Sequence, residues 1–322
     1  MLCEFEEKST HPRHYCNYIT TFAVHRFELM IVAVYSRDLS KGLSKETFLK
    51  VVTYLEGLSA EIIVHESVVE SLISTKISFE HFKVFSHFTK DSEKIPDLLI
   101  SIGGDGTILD TLMIVRDTGI PVLGINTGRL GFLAAISPEN VEKAIDAYMK
   151  GAFVIDERTV LELKTSKEFF TFNYALNDFV INKRDSSSMI KVHTYLNGEY
   201  FNSYWADGLI CSTPTGSTGY NLSCGGAILH PKSESFAITP IAPHNLNVRP
   251  FVIPDDHILA FEVEGRSTAF LASLDARSVS ITQDTQIAVK KADFKFNLAR
   301  LKGENFMTTL RNKMMWGLDA RN

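Results

Sequence analysis

The pattern of apolar residues changes near residue 153, and this change constrains the fold more than any other feature of the chain. Before it, strand and helix patterns alternate: residues 28–35 read as a strand, and Phe48, Val51, Val52 and Leu55 repeat as one face of a helix. Further strands are predicted at 61–65, 83–85 and 121–125, and further helices at 108–117 and after Ser137, which can cap a helix with Pro138 at its first position. This alternation predicts an α/β N-terminal domain with a largely parallel sheet.

Strand patterns dominate the chain after residue 153. They cover residues 159–165, 169–181, 189–196, 201–212, 258–263, 269–274 and 285–289. Asn197-Gly198 separates two of them, and this dipeptide is a strong signal for a tight hairpin turn. A mostly β C-terminal domain is therefore expected to follow the α/β domain.

The two ends of the chain fit neither pattern. Phe306, Leu310 and Met314 have helical spacing, which predicts a C-terminal helix that buries an apolar face by packing back on the N-terminal domain. Residues 1–28 show no periodicity and are expected to form an N-terminal arm. The predicted division is thus an arm at 1–28, an α/β domain at 29–150, a β-rich domain at 151–300, and a C-terminal helix and tail at 301–322.

Charge and composition exclude several classes of partner. The 322 residues carry a net charge of −5, and Lys and Arg are scattered, so no basic face for nucleic acid is expected. No apolar run approaches the ~20 residues that span a bilayer, and no membrane partner is expected. Cys3, Cys16, Cys211 and Cys224 lack metal-ligand spacing. With an acidic start that has no apolar signal core, the sequence favours a cytoplasmic protein with reduced thiols and no metal site of its own.

Residues 100–107 read ISIGGDGT, in which an apolar strand runs into a glycine-rich loop before a helix. Glycines let the backbone approach a bulky anion, and the free N–H groups of a helix start attract phosphate. Asp105 lies within this phosphate cradle although a carboxylate repels phosphate. One interpretation is that Asp105 accepts the proton of an attacking hydroxyl; the alternative is that it only caps the helix.

Two further segments carry polar groups in apolar or glycine-rich surroundings. Asn177-Asp178 interrupts the apolar strand pattern, so the pair either binds ligand hydroxyls or an amide, or else lies at a strand end facing water or caps a turn. Residues 207–226, DGLICSTPTGSTGYNLSCGG, combine small hydroxyls with four glycines, as suits a site for sugar hydroxyls and a flat base; a plain surface loop is the alternative. The segment has no lysine and is not a P-loop.

These motifs, in this order and at this spacing, resemble the NAD kinase family. GGDGT at 103–107 alone also occurs in diacylglycerol and sphingoid lipid kinases, but its combination with Asn177-Asp178 and TPTGST is specific. The segments GINTGRLGFL (124–133) and PHNLNVRPFVI (243–253) are also similar to the family, so the resemblance covers about residues 29–310.

The resemblance implies ATP-dependent phosphorylation of the 2′-hydroxyl of the adenosine ribose of NAD, with Mg²⁺ on the ATP phosphates and Asp105 as the base. It also implies a set of binding residues. Gly104, Gly106 and Thr107 would lie along phosphates; Leu109 and Phe132 would line the adenosine pocket; Asn177 and Asp178 would bind ribose hydroxyls and adenine; Asp207 would hold the nicotinamide end; Thr215, Thr218, Gly219, Tyr220 and Ser223 would lie on the adenine side; Ala242 and His244 would contribute by position.

The resemblance further implies a homodimer or homotetramer in which Asp207 and His244 reach the site of a neighbouring subunit. Two departures from the family pattern affect the expected preference between NAD and NADH: Gly219 stands where alanine is usual, and Asp178 where glutamate is commoner. The alternatives are a lipid kinase, which would need a membrane-facing segment, and a dinucleotide sensor without activity, which would not need Asp105.

Overall fold

A computed structural model describes residues 30–40, 42–75, 81–129, 131–184 and 188–315, so the expected arm at 1–28 lies outside the described residues. Its first half alternates strands and helices. In chain order these are β1 (Ile31–Ser36), α1 (Gly42–Gly57), β2 (Glu61–His65), α2 (Glu66–Thr75), β3 (Lys83–Phe85), β4 (Leu98–Gly103), α3 (Asp105–Val115), β5 (Val122–Asn126) and α4 (Val141–Met149). The five strands pair in parallel in the order β5-β4-β1-β2-β3. The predicted parallel α/β layer is confirmed.

The second half consists mostly of strands. They are β6 (Phe153–Thr165), β7 (Tyr174–Ala175), β8 (Asp178–Lys183), β9 (Ile190–Leu196), β10 (Glu199–Ala206), β11 (Gly208–Ser212), the short helix α5 (Tyr220–Ser223), β12 (Ser235–Ile241), β13 (Phe251–Pro254), β14 (Leu259–Glu264), β15 (Phe270–Leu274), β16 (Arg277–Ile281), β17 (Ile287–Leu301) and the helix α6 (Phe306–Met314). Asn197 and Gly198, both with positive φ, form the predicted turn between β9 and β10.

Two sheets organise the described strands. The larger one runs β10-β9-β14-β17-β5-β4-β1-β2-β3, with β6 paired to β17 and β7 to β6, so strands of both halves share it. The smaller one runs β13-β12-β11-β8-β15-β16. Side chains from both sheets meet in one apolar core, where the rings of Phe179 and Phe261 lie 6.0 Å apart. The sheets of the second half therefore pack face to face.

A separate apolar core lies beneath the helices of the first half. The predicted helical face of Phe48, Val51, Val52 and Leu55 is buried there against β1, β2 and β4. The predicted helix and its buried face are confirmed. In the described part of the chain no helix is both long and apolar enough to cross a membrane.

Two predicted strands are wrong because each breaks into two. Residues 169–181 form β7 and β8 with a turn between them, since the carboxylate of Asp275 takes the N–H groups of Leu176, Asn177 and Asp178 that a continuous ladder would use. Residues 201–212 break at Asp207, where the chain leaves the larger sheet as β10 and enters the smaller one as β11. Strand patterns alone do not show which sheet a strand joins.

Other differences concern the ends and number of elements. The strand predicted at 285–289 has five residues, whereas β17 has fifteen. The strand continues because residues 295–298 alternate polar and apolar side chains and residues 295–301 pair with β6. Ser137 stands at the cap of a 3₁₀ turn, Pro138–Asn140, before α4, but its side chain makes no cap hydrogen bond. The sequence patterns did not predict α2, α5, β12, β13 or β16.

The predicted C-terminal helix is present as α6 and contacts the N-terminal domain. The ring of Phe306 lies 6.0 Å from that of Phe132 and 5.8 Å from that of His230, which belongs to the β-rich half. The helix buries no residue fully, however: Phe306 and Leu310 are half-buried and Met314 is 39% exposed. The expected buried face is thus only partly formed in the single chain.

Candidate functional site

The carboxylate of Asp105 is fixed by the backbone of a neighbouring loop. Its Oδ2 accepts the N–H of Phe132 at 2.7 Å, and its Oδ1 accepts those of Leu133 and Ala134, each at 3.0 Å. Asp105 is the first residue of α3, whose N-cap is Gly104 without any side-chain cap bond. The interpretation of Asp105 as a helix cap is therefore wrong, because its oxygens bind another loop and not its own helix.

Gly131 makes this arrangement sterically possible. A Cβ at this position would lie only 1.8 Å from Oδ1 of Asp105. Any side chain would therefore displace the carboxylate from the three N–H groups. This glycine lies within the segment GINTGRLGFL, yet the sequence alone gave no reason to pair it with Asp105.

A buried ionic cluster connects the loop that contains Phe132, which binds Asp105, with the threonine-rich loop after β11. Asp156 binds Arg158 at 2.6 Å and Arg300 at 2.9 Å, and both arginine side chains are at most 6% exposed. Arg300 donates to the carbonyl of Phe132 at 2.7 Å, and Arg158 donates to Oγ1 of Thr215 at 3.3 Å. Arg300 thus helps to hold the Phe132 loop in place, and Arg158 helps to hold the threonine-rich loop. Sequence analysis missed them, since β6 and β17 are far apart in the chain.

Asp275 plays a comparable part for the Asn177-Asp178 pair. It sits with φ 51° in the turn between β15 and β16, and its carboxylate accepts the N–H groups of Leu176, Asn177 and Asp178 at 2.9, 2.7 and 3.2 Å. Burial, followed by the adjacent Asp275 carboxylate, raises the pKa of Asp178 to about 7. The pair is therefore held rigidly at the start of β8, with Asp178 only 5% exposed. Asp178 therefore does not face water, whereas Asn177 is half-buried just before the start of β8.

A cavity of about 340 Å³ brings several predicted residues together. It runs along one face of β8 and reaches α3. Its lining consists of Leu109, Asn177, Asp178, Val180, Asn182, Tyr220, Ser273, Asp275 and Ala276. Four of these, Leu109, Asn177, Asp178 and Tyr220, are predicted adenosine-binding residues. Phe132 is not among the lining residues; it packs instead between Asp105 and α6.

The threonine-rich loop after β11 is folded against the Asn177 turn. Thr213 donates its hydroxyl to the carbonyl of Leu176 at 2.6 Å and its N–H to that of Asn177 at 2.8 Å. Gly216 packs so closely that a Cβ would lie 2.2 Å from the same Asn177 carbonyl oxygen. The plain surface loop considered as an alternative is therefore wrong. Several of its hydroxyls hold the loop itself rather than face a ligand.

The predicted residues of this loop have different surroundings. Thr215 is buried on Arg158, and the Thr218 hydroxyl donates to the carbonyl of Thr215 at 3.4 Å. Gly219 lies beside the side chain of Asn177, Tyr220 is 42% exposed at the cavity, and Ser223 is exposed. Tyr220 is thus the predicted loop residue that lines the cavity.

The remaining cradle residues surround the start of α3. Gly104 follows the carboxyl end of β4 and is the N-cap of α3, and Gly106 is the second residue of α3. Thr107 is 8% exposed. Arg37 donates to the carbonyl of Gly106 at 3.2 Å and forms a two-pronged contact with Asp110, with both nitrogens at 2.8 Å. In open parallel sheets, ligands bind beyond the carboxyl ends of the strands, so a ligand is expected at this edge of the sheet.

Asp207, Ala242 and His244 form a separate group at the other end of β11. Asp207 binds Lys183 at 2.6 Å and donates its N–H to the Ile241 carbonyl at 2.9 Å. The ring of His244 lies 4.9 Å from that of Trp205. Since Gly208 pairs with Asn182 and Ser212 with Asp178, the length of β11, roughly 15 Å, separates this group from the Asn177 turn.

Among the described residues, no group of three or more His, Cys, Asp or Glu side chains is arranged to hold a metal ion. Cys211 and Cys224 carry free thiols, and burial raises the pKa of the Cys211 thiol.

Comparison with known proteins identifies the family. The family model of the ATP-NAD kinase N-terminal domain matches residues 21–153, and that of the C-terminal domain matches residues 176–301. A NAD kinase of Cytophaga hutchinsonii is 50% identical over 271 residues, which cover 84% of this chain and 92% of that protein. A NAD kinase of Flavobacterium psychrophilum is 44% identical over 296 residues, 91% of this chain and all of that protein.

Solved structures agree with this result. An NAD kinase from Archaeoglobus fulgidus in complex with ATP superposes with a TM-score of 0.67 at 26% identity, covering 89% of this chain and 99% of that one. Yeast NADH kinase complexed with NADH, at 23% identity, shares the fold with a TM-score of 0.78 over 90% of this chain and 89% of that chain. The motifs, the fold and the sequence relatives lead to one conclusion: the chain belongs to the ATP-NAD kinase family.

Proposed function

We propose that this protein transfers a phosphoryl group from ATP to the 2′-hydroxyl of the adenosine ribose of NAD, giving NADP, with Asp105 as the base. The observation that carries this proposal is the fixed carboxylate of Asp105 at the start of α3. Phosphoryl transfer requires little covalent chemistry of the protein and depends on positioning and on charge stabilisation. The fixed carboxylate of Asp105 meets the need for positioning, and the N-terminus of α3 beside it favours the negative charge of the phosphates.

The lone pairs of Asp105 suit the role of base. An ionised carboxylate has about four acceptor sites. Two N–H groups occupy Oδ1 and one occupies Oδ2, which leaves a site on Oδ2. The side chain is 31% exposed, so a substrate hydroxyl can reach it. In the reaction the 2′-hydroxyl proton passes to Oδ2, the ribose oxygen bonds to the γ-phosphorus, and the bond to the bridging oxygen breaks to release ADP.

The cavity along β8 would receive the adenosine of NAD. Leu109 and Tyr220 offer apolar and aromatic surfaces for the base, and Asn177 and Asp178 offer hydrogen bonds to the ribose hydroxyls and to adenine. With its pKa near 7, Asp178 has both protonated and ionised forms at neutral pH, so it can donate or accept a hydrogen bond. Thr215, Thr218, Gly219 and Ser223 would frame the adenine side of this cavity.

The phosphates would lie along Gly104, Gly106 and Thr107 at the N-terminus of α3, where free N–H groups and the helix dipole favour anions. We propose that Mg²⁺ enters with ATP and is shared by its phosphates. Phe132 acts at this end of the site through its backbone, which binds Asp105, rather than as a wall of the adenosine cavity.

We also propose that the active form is a homodimer or homotetramer in which Asp207, Ala242 and His244 serve the site of a neighbouring subunit. Their distance from the Asn177 turn in one chain supports this arrangement. So do exposed apolar side chains close to His244, namely Trp205 (50% exposed), whose ring lies 4.9 Å from that of His244, and Leu246 (89%). Contiguous exposed apolar surface marks protein contacts. We place the enzyme in the cytoplasm, where NAD and ATP are available together.

One assay tests the activity. The purified protein is incubated with NAD, ATP and Mg²⁺, and NADP is measured with an NADP-specific dehydrogenase. Formation of NADP that depends on ATP supports the proposal. Binding of NAD without turnover would indicate a sensor instead, and phosphorylation of diacylglycerol in vesicles but not of NAD would indicate a lipid kinase.

A further inference from the structure

We propose that Lys313, on the C-terminal helix α6, is a further catalytic residue that binds the phosphoryl group during its transfer. This inference rests on the proposed function. The Nζ atom of Lys313 lies 3.8 Å from Oδ2 of Asp105, the oxygen with the open acceptor site. It also lies 4.5 Å from the centre of the Phe132 ring. The ammonium group thus faces the place where the hydroxyl and the γ-phosphorus must meet.

The helix geometry aims Lys313 at this place. Asn305 caps α6 by accepting the N–H of Thr308 at 2.9 Å, and the Phe306 ring contacts both Phe132 and His230. Lys313 follows Phe306 by seven residues, which is close to two helical turns, so both side chains lie on one face of the helix. The start of α6 is therefore anchored beside Phe132, and its last turn carries the lysine over the Asp105 carboxylate.

Three other described cations near Asp105 are held by strong partners. Arg37 makes a two-pronged contact with Asp110, and Arg158 and Arg300 are buried on Asp156. Lys313 makes a longer contact, its side chain is 34% exposed, and an ammonium on a flexible stem can change partner. Of these four cations, Lys313 is the one placed to leave Asp105 and bind an arriving phosphate.

The proposed step needs no additional reactant. When the 2′-hydroxyl occupies the open site of Oδ2, the ammonium moves from the carboxylate to an oxygen of the γ-phosphoryl group. Positive charge placed there stabilises the negative charge spread over the phosphoryl oxygens in the transition state. Lys313 keeps its proton throughout, while Asp105 accepts the proton of the hydroxyl and ADP leaves.

Three variants test the role of Lys313. Lys313→Met keeps the apolar stem that covers Phe132 but removes the charge, and Lys313→Arg restores a charge. Arg311→Gln, at an exposed position of the same helix, is the matched control. We measure kcat, the KM values for NAD and ATP, the Kd of NAD by calorimetry, and the melting temperature. For Lys313→Met we expect kcat to fall by about 10²-fold, with the Kd of NAD and the melting temperature nearly unchanged. Lys313→Arg should recover part of the lost kcat. Arg311→Gln should leave kcat unchanged.

Two results would overturn the inference. One is a kcat for Lys313→Met within about threefold of the parent protein; the other is a fall in kcat that follows a matching loss of melting temperature and of NAD binding, which would assign Lys313 a structural role. The parent protein separates failure of this inference from failure of the proposed function. If only the role of Lys313 is wrong, the parent protein still forms NADP. If the proposed function is wrong, the parent protein forms no NADP.

Discussion

Phe132 donates its N–H to Oδ2 of Asp105 at 2.7 Å, and this bond joins two loops that are 27 residues apart in the chain. It determines how the base is presented to a substrate.

Replacing Asp105 with Asn should lower kcat by about 10²–10⁴-fold while NAD still binds, because the amide cannot accept the hydroxyl proton. The structure adds a second effect: the amide NH₂ of the variant would face one of the three N–H donors, so some stability is lost as well. Steady-state kinetics and calorimetry with NAD measure both effects. Asp117→Asn, at a surface ion pair with Lys90, is the control. A kcat close to that of the parent protein would contradict the assignment.

Gly131→Ala should impair the enzyme without removing any functional group. The added methyl group would lie 1.8 Å from Oδ1 of Asp105, so the carboxylate must move, and misplacement by about 1 Å can cost on the order of 10²-fold in rate. Gly128→Ala in the same loop is the control, since its Cβ would meet nothing closer than 3.8 Å. Equal activity of the two variants would show that the position of the carboxylate does not limit the reaction.

Asn177→Ala should raise KM for NAD and leave KM for ATP nearly unchanged. Loss of its hydrogen bonds leaves ligand groups unpaired at ~1–3 kcal/mol, which corresponds to about 5- to 150-fold in binding. Asn173→Ala, which lies before β7 and does not line the cavity, is the control. An equal rise of both KM values, or loss of folding, would instead indicate a structural role of the Asn177 turn.

Asp178→Asn should raise stability at high pH and have little effect at low pH. Because burial and Asp275 raise the pKa of Asp178 to about 7, the folded protein keeps a proton that the unfolded chain releases near pH 4. Stability of the parent protein therefore falls as pH rises from about 4 to about 7 through this group. Melting temperatures at pH 5 and pH 8 check the sign, with Asp293→Asn, whose side chain is 95% exposed, as control. A pH-independent difference would contradict the assigned protonation.

Mixing two inactive variants should restore activity if subunits share sites. Asp105→Asn and Asp207→Ala chains, refolded together in equal amounts, form mixed dimers in which one site carries both defects and the other carries neither. Random mixing then gives roughly a quarter of the parent activity. Mixed oligomers are confirmed by mass spectrometry. Without recovery in those oligomers, Asp207 must act within its own chain.

The sequence predicted the parts of the fold that depend on local pattern. The apolar face of α1, the turn at Asn197-Gly198 and the strand before GGDGT are formed as expected, because periodicity and turn chemistry act over a few residues. The break at residue 176 was not predictable in this way. It depends on Asp275, about a hundred residues further along the chain, whose carboxylate replaces the strand ladder for three N–H groups.

The candidate site shows the same limit. Ordered motifs indicated Asp105, Asn177, Asp178 and Tyr220, and the last three line one cavity. Gly131, Asp156, Arg158 and Arg300 could not be assigned, since what they do depends on contacts between distant segments. Sequence motifs thus identified groups that would meet the substrate, whereas the groups that hold them in place needed the tertiary structure.

The position of β17 affects how the nascent chain folds during its synthesis on the ribosome. Leu298 and Ala299 pair in parallel with Val122 and Leu123, so a strand near the end of the chain covers the first part of the outer edge of β5, whose second part bonds Ile136. About 170 residues are synthesised between the two strands, which takes roughly 10–30 s at about 5–20 residues per second. For that time the nascent chain presents an open strand edge, the kind of surface on which chains aggregate. Newly made copies should therefore be most vulnerable, and most dependent on chaperones, before translation reaches β17.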